Sequence, residues 1–405
     1  MPTVTQSGLN PAKICHVAIE LKTLLQNLSF IQNQSSDTEI VAMVKANAYG
    51  HGITKISQVL QEKGVKHFGV ATIEEGLTLR QASITGTILL MGGSGFTQNI
   101  DAVLSAELTP LISSLEELQI LKATAQKTKW QKPIQVHLDL DTGMSRSGIL
   151  IDDNPESTLK AIVDCLKKNT NIINLCGLST HFANAEINNC AYSDLQLKRF
   201  LKALHYLDNA GFHQTILHVS KSSAILTNLG HSDVVLSKTQ RQHSIWVRPG
   251  IALYGVNPLS GANQLPGLAP ILSWRAPVTV RKAILKGTHV GYNNTWTAKR
   301  DTEIAILRVG YGDGFSRQLS NRGHVLIQGQ KAPIVGRVSM DLTAIDVTQI
   351  TKKLGNESCS IGTMATLIGT DGGESISAQD LSELCHTIPY EILTNISARV
   401  ARLYF

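Results

Sequence analysis

The chain has 405 residues, longer than a typical single domain, so two domains are expected. Apolar residues make up 42% and charged residues 17%, an ordinary globular balance, and the net charge of +6 is scattered. That pattern argues against a nucleic-acid-binding tract, and no apolar run approaches the length that spans a bilayer. The six cysteines (Cys15, Cys165, Cys176, Cys190, Cys359, Cys385) show neither close pairing nor zinc-type spacing, and no metal is expected. The polar stretch Met1 to Lys13 has no apolar centre of the kind a secretory leader needs, which predicts a cytoplasmic protein.

Strand and helix signals alternate through the first part. Apolar runs occur at Glu39–Val44, His67–Ala71, Thr87–Met91, Leu108–Ile112, Ile134–Leu140, Ile172–Ser179, Ile216–Val219 and Ile245–Val247. Amphipathic stretches separate them. Ser113–Lys127 carries a capping-box pair, Ser114 and Glu117. Asp194–Asn209 places Leu197, Phe200, Leu201 and Leu204 on one stripe. About eight β/α units predict a (β/α)8, TIM-type barrel over residues 1–257. A doubly wound sheet is the alternative, but no Gly-x-Gly-x-x-Gly follows the first strand. The stretch Val235–Ser244 is polar and aperiodic and reads as a loop before the last barrel strand.

Past Pro258 the texture changes. Short β-like runs broken by glycines occur at Val278–Val280, Glu303–Val309, His324–Ile327, Pro333–Val335 and Leu342–Val347. Helix signal returns only at Ala378–His386. Residues 258–405 therefore read as a smaller, mainly β domain.

Chemistry is suggested first at Lys45. It ends an apolar run and is followed by Ala46-Asn47-Ala48-Tyr49-Gly50-His51-Gly52. A lysine among apolar neighbours has a lowered pKa and offers a free amine to an aldehyde, forming a Schiff base. In a barrel, working residues sit at the C-terminal ends of strands, with phosphate often bound after strands seven and eight. Ser220-Lys221-Ser222-Ser223 and Arg248-Pro249-Gly250-Ile251 lie at those places. Hydroxyls and free amides around a glycine suit phosphate oxygens, although most such turns are only turns.

The segment Lys45 to Gly52 resembles the pyridoxal-phosphate attachment motif of the alanine racemase family. Further segments resemble that family in order: His137 to Gly148, Thr180-His181-Phe182-Ala183, Val247-Arg248-Pro249-Gly250, Val290-Gly291-Tyr292, Arg308 to Gly314, Gly336 to Asp341, and Ile388-Pro389-Tyr390-Glu391. The resemblance implies a pyridoxal 5'-phosphate-dependent racemase that interconverts L- and D-alanine and supplies D-alanine for peptidoglycan. It implies a homodimer in which the second domain of one subunit completes the site of the other, with no nucleic-acid or membrane partner. Lys45 and Tyr292 would be the two bases, with Tyr292 activated through His181 and Arg248. Arg248 would face the pyridine nitrogen, and Tyr49, Ser222, Gly250, Ile251 and Tyr390 would hold the phosphate. Arg146 and the amide of Met340 would meet the substrate carboxylate, and Arg146 would also border the cofactor. Glu186, Tyr311, Arg317, Arg337 and Ile388 would line the entrance.

Two departures stand out. Asp139 occupies the position where many relatives carry a carbamylated lysine, and could orient Arg146 by a charge-assisted hydrogen bond. Lys221 stands where asparagine is common. Rival readings are a broader amino-acid (serine) racemase, a fold-related decarboxylase and a non-enzymatic cofactor carrier. Arg248 argues against the decarboxylase, since those relatives typically place a glutamate there, and the second domain argues against the carrier.

Overall fold

The structure is a computed structural model, and it describes residues 13–405 apart from 188, 214, 230–242 and 260–265. Eight parallel strands follow one another around a barrel: Glu39–Met43, His67–Val70, Thr87–Leu90, Thr109–Ile112, Ile134–Asp141, Ile173–Ser179, Ile216–His218 and Ser244–Val247. The last closes on the first, with Trp246 beside Glu39 and Val247 beside Ile40. These are the eight apolar runs, each displaced by one residue at one end and matched at the other. Val41, Ala42, Phe68, Ile88, Leu89, Ile112, Val136, Leu138, Leu178 and Leu217 are all buried, as expected for strands covered on both faces.

Every gap between barrel strands holds a helix. Leu115–Lys127 starts at Ser114, whose hydroxyl accepts the Glu117 amide at 3.2 Å. The reciprocal half of the capping box is displaced: the Glu117 carboxylate accepts the Ser113 amide at 2.7 Å. The second amphipathic helix runs Ala191–Asn209 and buries Leu197, Phe200 and Leu204. Residues 235–242 of the polar stretch lie outside the described residues, and Ser244 already opens the last barrel strand.

The second sheet is built on Leu272–Ile284, a 13-residue strand with a register shift at Val278–Val280. Its first half pairs with Met364–Asp371 and its second half with Thr302–Leu307, which pairs onward with Thr343–Asp346. His324–Ile327 and Gln330–Pro333 form a hairpin beyond Met364–Asp371. Glu374–Ile376 and Ala401–Tyr404, not anticipated from the sequence, also belong to it.

One strand crosses the expected division at residue 257. His16–Ile19 lies in the second sheet, antiparallel to Leu272–Arg275 and parallel to Ala401–Tyr404. A four-residue apolar run carries no record of which sheet it joins. One continuous apolar core runs through both parts of the molecule, with a small satellite around Val290, Ile304 and Val335.

Candidate active site

Lys45 stands one residue, Val44, beyond the first barrel strand and opens a turn in which Ala46, Asn47, Ala48 and Tyr49 all have φ between 51° and 55°. This is left-handed backbone, unusual for any non-glycine residue and more so as a run. Local bonds hold it: the Asn47 side chain accepts the Ile53 amide (2.9 Å), and the Glu75 carboxylate accepts the Ala46 amide (2.6 Å). The turn leaves Lys45 half-buried at the barrel mouth. Burial first, then Arg146 and Arg248, lower its pKa, while Glu75 partly opposes them.

Beside it, after the last strand, the Gly250 and Ala252 amides donate to the Ser222 hydroxyl at 2.8 and 3.4 Å. A side chain at Gly250 would place its first carbon 2.4 Å from the Tyr49 hydroxyl, so only glycine lets that phenol approach. Tyr49 in turn packs 5.1 Å from Tyr254 and 6.1 Å from Tyr390, and Ile251 is fully buried behind them. Tyr390 arrives from the second domain. Burial, aided by Glu186, pushes its phenol up to about 12, so it remains a neutral donor. Hydroxyls and amides at one end and a loosely protonated amine at the other fit a small molecule carrying a phosphate and an aldehyde.

Arg248 is buried. Its Nη1 donates to Nδ1 of His218 at 2.7 Å and to the His218 carbonyl, and its Nη2 donates to the Thr180 carbonyl at 2.7 Å. Since arginine only donates, His218 Nδ1 must accept, so His218 carries its proton on Nε2 and gives it to His137 Nδ1 at 2.7 Å. Burial lowers the Arg248 pKa to about 10, which still leaves it charged at neutral pH.

The expected link from His181 to Arg248 is thus replaced: the described hydrogen bonds of Arg248 run to His218 and Thr180. His181 stays near as a neutral imidazole, held so by burial and by Arg248, Arg146, Lys221 and Lys45. His137 and His218 lie inside the apolar strand runs, and the sequence assigns them no role. The fifth and seventh barrel strands carry them on either side of Ile173–Ser179, where Gly177, lacking a side chain, leaves room for the His137 ring. The signal available was a histidine inside each apolar run.

Asp139 also differs from expectation. Its carboxylate accepts from Ser179 Oγ (2.8 Å) and Ser147 Oγ (3.1 Å), and no hydrogen bond to Arg146 is formed among the described residues. Arg146 itself is exposed on the loop after the fifth strand, whose start is fixed by the Asp141 carboxylate accepting the Gly143 and Ser145 amides. Glu186 pairs with Lys221 at the mouth, 3.2 Å apart.

The other expected residues form a separate group. Tyr292, Tyr311, Met340 and Ile388 are 66, 44, 54 and 58% exposed, Arg317 is exposed and Arg337 half-buried. Backbone bonds join several of them into one surface: the Tyr311 amide donates to the Ser339 carbonyl (3.0 Å) and Gly312 to Met340 (2.8 Å). Arg399 braces it by donating to Asp313 and Asp341, both at 2.7 Å.

A closed parallel barrel with an activated lysine and an anion cradle on one rim, joined to a β domain, defines a two-domain barrel enzyme class. Residues 19–258 match the alanine racemase N-terminal domain and residues 271–404 its C-terminal domain. The alanine racemase of Methanococcus maripaludis is 35% identical over 388 residues, covering 95% of this chain and 97% of that protein. A crystal structure of alanine racemase from Bacillus anthracis with bound L-Ala-P has TM-score 0.82 at 32% identity, covering 96% of this chain and 95% of that one. One from Bartonella henselae with covalently bound pyridoxal phosphate has TM-score 0.79 at 28% identity, covering 97% and 99%. The chain belongs to the alanine racemase family.

Proposed function

We propose that this chain interconverts L- and D-alanine with pyridoxal 5'-phosphate held between Lys45 and the cradle of Ser222, Gly250, Ile251, Tyr49 and Tyr390. The observation that carries the reading is the Lys45 amine, half-buried with a lowered pKa, on the same rim as a hydroxyl-and-amide cradle. When bound at Lys45, the cofactor supplies the electron sink that makes the α-proton of alanine removable. The protein's own groups do the rest.

Lys45 holds its proton loosely and serves one face of the substrate. Tyr292 serves the other and comes from a second subunit, a reading supported by its exposure on its own chain. Two bases on opposite faces are what inversion requires. Arg248, which stays charged at neutral pH, would face the pyridine nitrogen without giving up its proton and so leave that nitrogen unprotonated, which would restrain side reactions. Arg146 meets the substrate carboxylate, joined by the Met340 amide of the other subunit. Neutral His181 offers a ring nitrogen to the Tyr292 hydroxyl, and in this reading that hydrogen bond activates the phenol. Glu186, Tyr311, Arg317, Arg337 and Ile388 line the approach.

The working form is a cytoplasmic homodimer in this reading. Its support is the exposed surface around Tyr292, Tyr311 and Met340, and that no described helix is long and apolar enough to cross a membrane. Incubating the purified protein with L-alanine should yield D-alanine, and borohydride should fix the cofactor on Lys45. Lys45→Ala should lower turnover at least about 1000-fold. Absence of D-alanine, or a reduced cofactor mapped to another lysine, would refute the assignment.

A further inference from the structure

Lys221 and Glu186 meet at the rim of the cradle, with Lys221 Nζ 3.2 Å from Glu186 Oε1 and 3.5 Å from Oε2. Lys221 immediately precedes Ser222, whose hydroxyl accepts the Gly250 amide, and its backbone is bridged to Arg248. Glu186 follows the sixth barrel strand and lies near Tyr390, whose phenol it helps to hold protonated. A full negative charge therefore stands beside the tyrosine that lines the phosphate end. A phosphate monoester carries close to two negative charges at neutral pH. The groups of the cradle itself (the Ser222 hydroxyl, the Gly250 and Ala252 amides and the Tyr49 and Tyr390 phenols) carry no full positive charge to offset a neighbouring carboxylate.

We propose that Lys221 is a positioning residue for the cofactor phosphate: by pairing with Glu186 it cancels the carboxylate that would otherwise repel the incoming dianion. The inference rests on the cradle being the phosphate site. The side chains of the pair are 23 and 36% exposed, and ion pairs at that exposure contribute little to fold stability. The role is electrostatic and acts on the ligand. Its signature is asymmetry. Removing Lys221 alone leaves Glu186 facing the phosphate, whereas removing both charges leaves nothing to repel it.

The test titrates cofactor-stripped full-length protein with pyridoxal 5'-phosphate and, separately, with pyridoxal, following the absorbance of the lysine adduct. Lys221→Asn should weaken pyridoxal 5'-phosphate about tenfold, the scale of an unscreened charge at the rim of a site, and leave pyridoxal within about twofold. Lys221→Asn combined with Glu186→Gln should recover pyridoxal 5'-phosphate affinity to within about threefold of the parent. Equal weakening of both ligands, no weakening, or no recovery in the double variant overturns the proposal. A parent protein that takes up no pyridoxal 5'-phosphate at Lys45 overturns the reading of the cradle itself, and this inference with it.

Discussion

Asp139 is a carboxylate whose place in the barrel works against its own ionisation. Burial raises its pKa above the ordinary aspartate value, against the opposing pull of Ser179, Arg248, Ser147 and Arg146. A group with a raised folded-state pKa favours folding while it is protonated in both states. That contribution is lost as pH rises through the folded value. At neutral pH the charged Asp139 therefore disfavours folding. Asn at this position keeps an acceptor for Ser179 and gains a donor for the Ser147 hydroxyl. We expect Asp139→Asn to raise the Tm of the apo-protein at pH 7, with the gain fading below the ordinary aspartate range. Its effect on catalysis runs through Ser147, the neighbour of Arg146, so KM for alanine should rise several-fold while kcat changes less. Differential scanning calorimetry across pH, together with steady-state kinetics, checks both halves. A Tm unchanged at every pH would sink the electrostatic account.

Among elements, the turn after the first barrel strand couples the two domains. Four successive left-handed residues cost about 1–2 kcal/mol each in isolation, so the turn exists only because its surroundings over-determine it. His51 stacks on Tyr254 at 4.4 Å, and its carbonyl accepts from the Tyr404 hydroxyl at 3.1 Å. Arg402 Nε donates to the Gly50 carbonyl at 3.2 Å. Gly50 has φ +86°, and a side chain there would lie 2.2 Å from the Leu393 carbonyl oxygen. Gly50→Ala should therefore destabilise the protein by about 2–4 kcal/mol, combining backbone strain with a clash against rigid backbone. Urea unfolding measures the loss, and an unchanged midpoint would show that the helix Pro389–Thr394 can move away freely. That helix carries Tyr390, so affinity for pyridoxal 5'-phosphate should fall with stability.

On the scale of the whole molecule, the expected site residues divide into two sets. Lys45, Tyr49, Arg146, His181, Ser222, Arg248 and Gly250 gather on the barrel rim, and Tyr390 reaches them within the chain. Tyr292 and Met340 stand on an exposed face of the second domain. If two chains share each site, mixing Lys45→Ala with Tyr292→Ala subunits should restore roughly a quarter of parental activity. Random exchange makes half the dimers mixed, and each mixed dimer keeps one site with both bases. Activity assays after verified subunit exchange decide this. No recovery would place both bases on one chain.

The sequence by itself determined the eight barrel strands, the β character of the second domain and the positions of Lys45, Ser222, Gly250 and Arg248 at strand ends. Apolar runs and the residues that interrupt them are local properties, readable without knowing what lies opposite. Only the tertiary structure decided the rest. The run His16–Ile19 joined the far sheet because its partners, Leu272–Arg275 and Ala401–Tyr404, are distant in sequence, and periodicity does not name a partner. Of Ala46-Asn47-Ala48-Tyr49 only Asn47 is a residue type that takes left-handed backbone readily; Glu75, Tyr254 and the docked tail impose it on the rest. Arg248 turned to His218 and Thr180, and Asp139 to Ser147 and Ser179, because buried polar groups bond to whatever the packed barrel brings within reach.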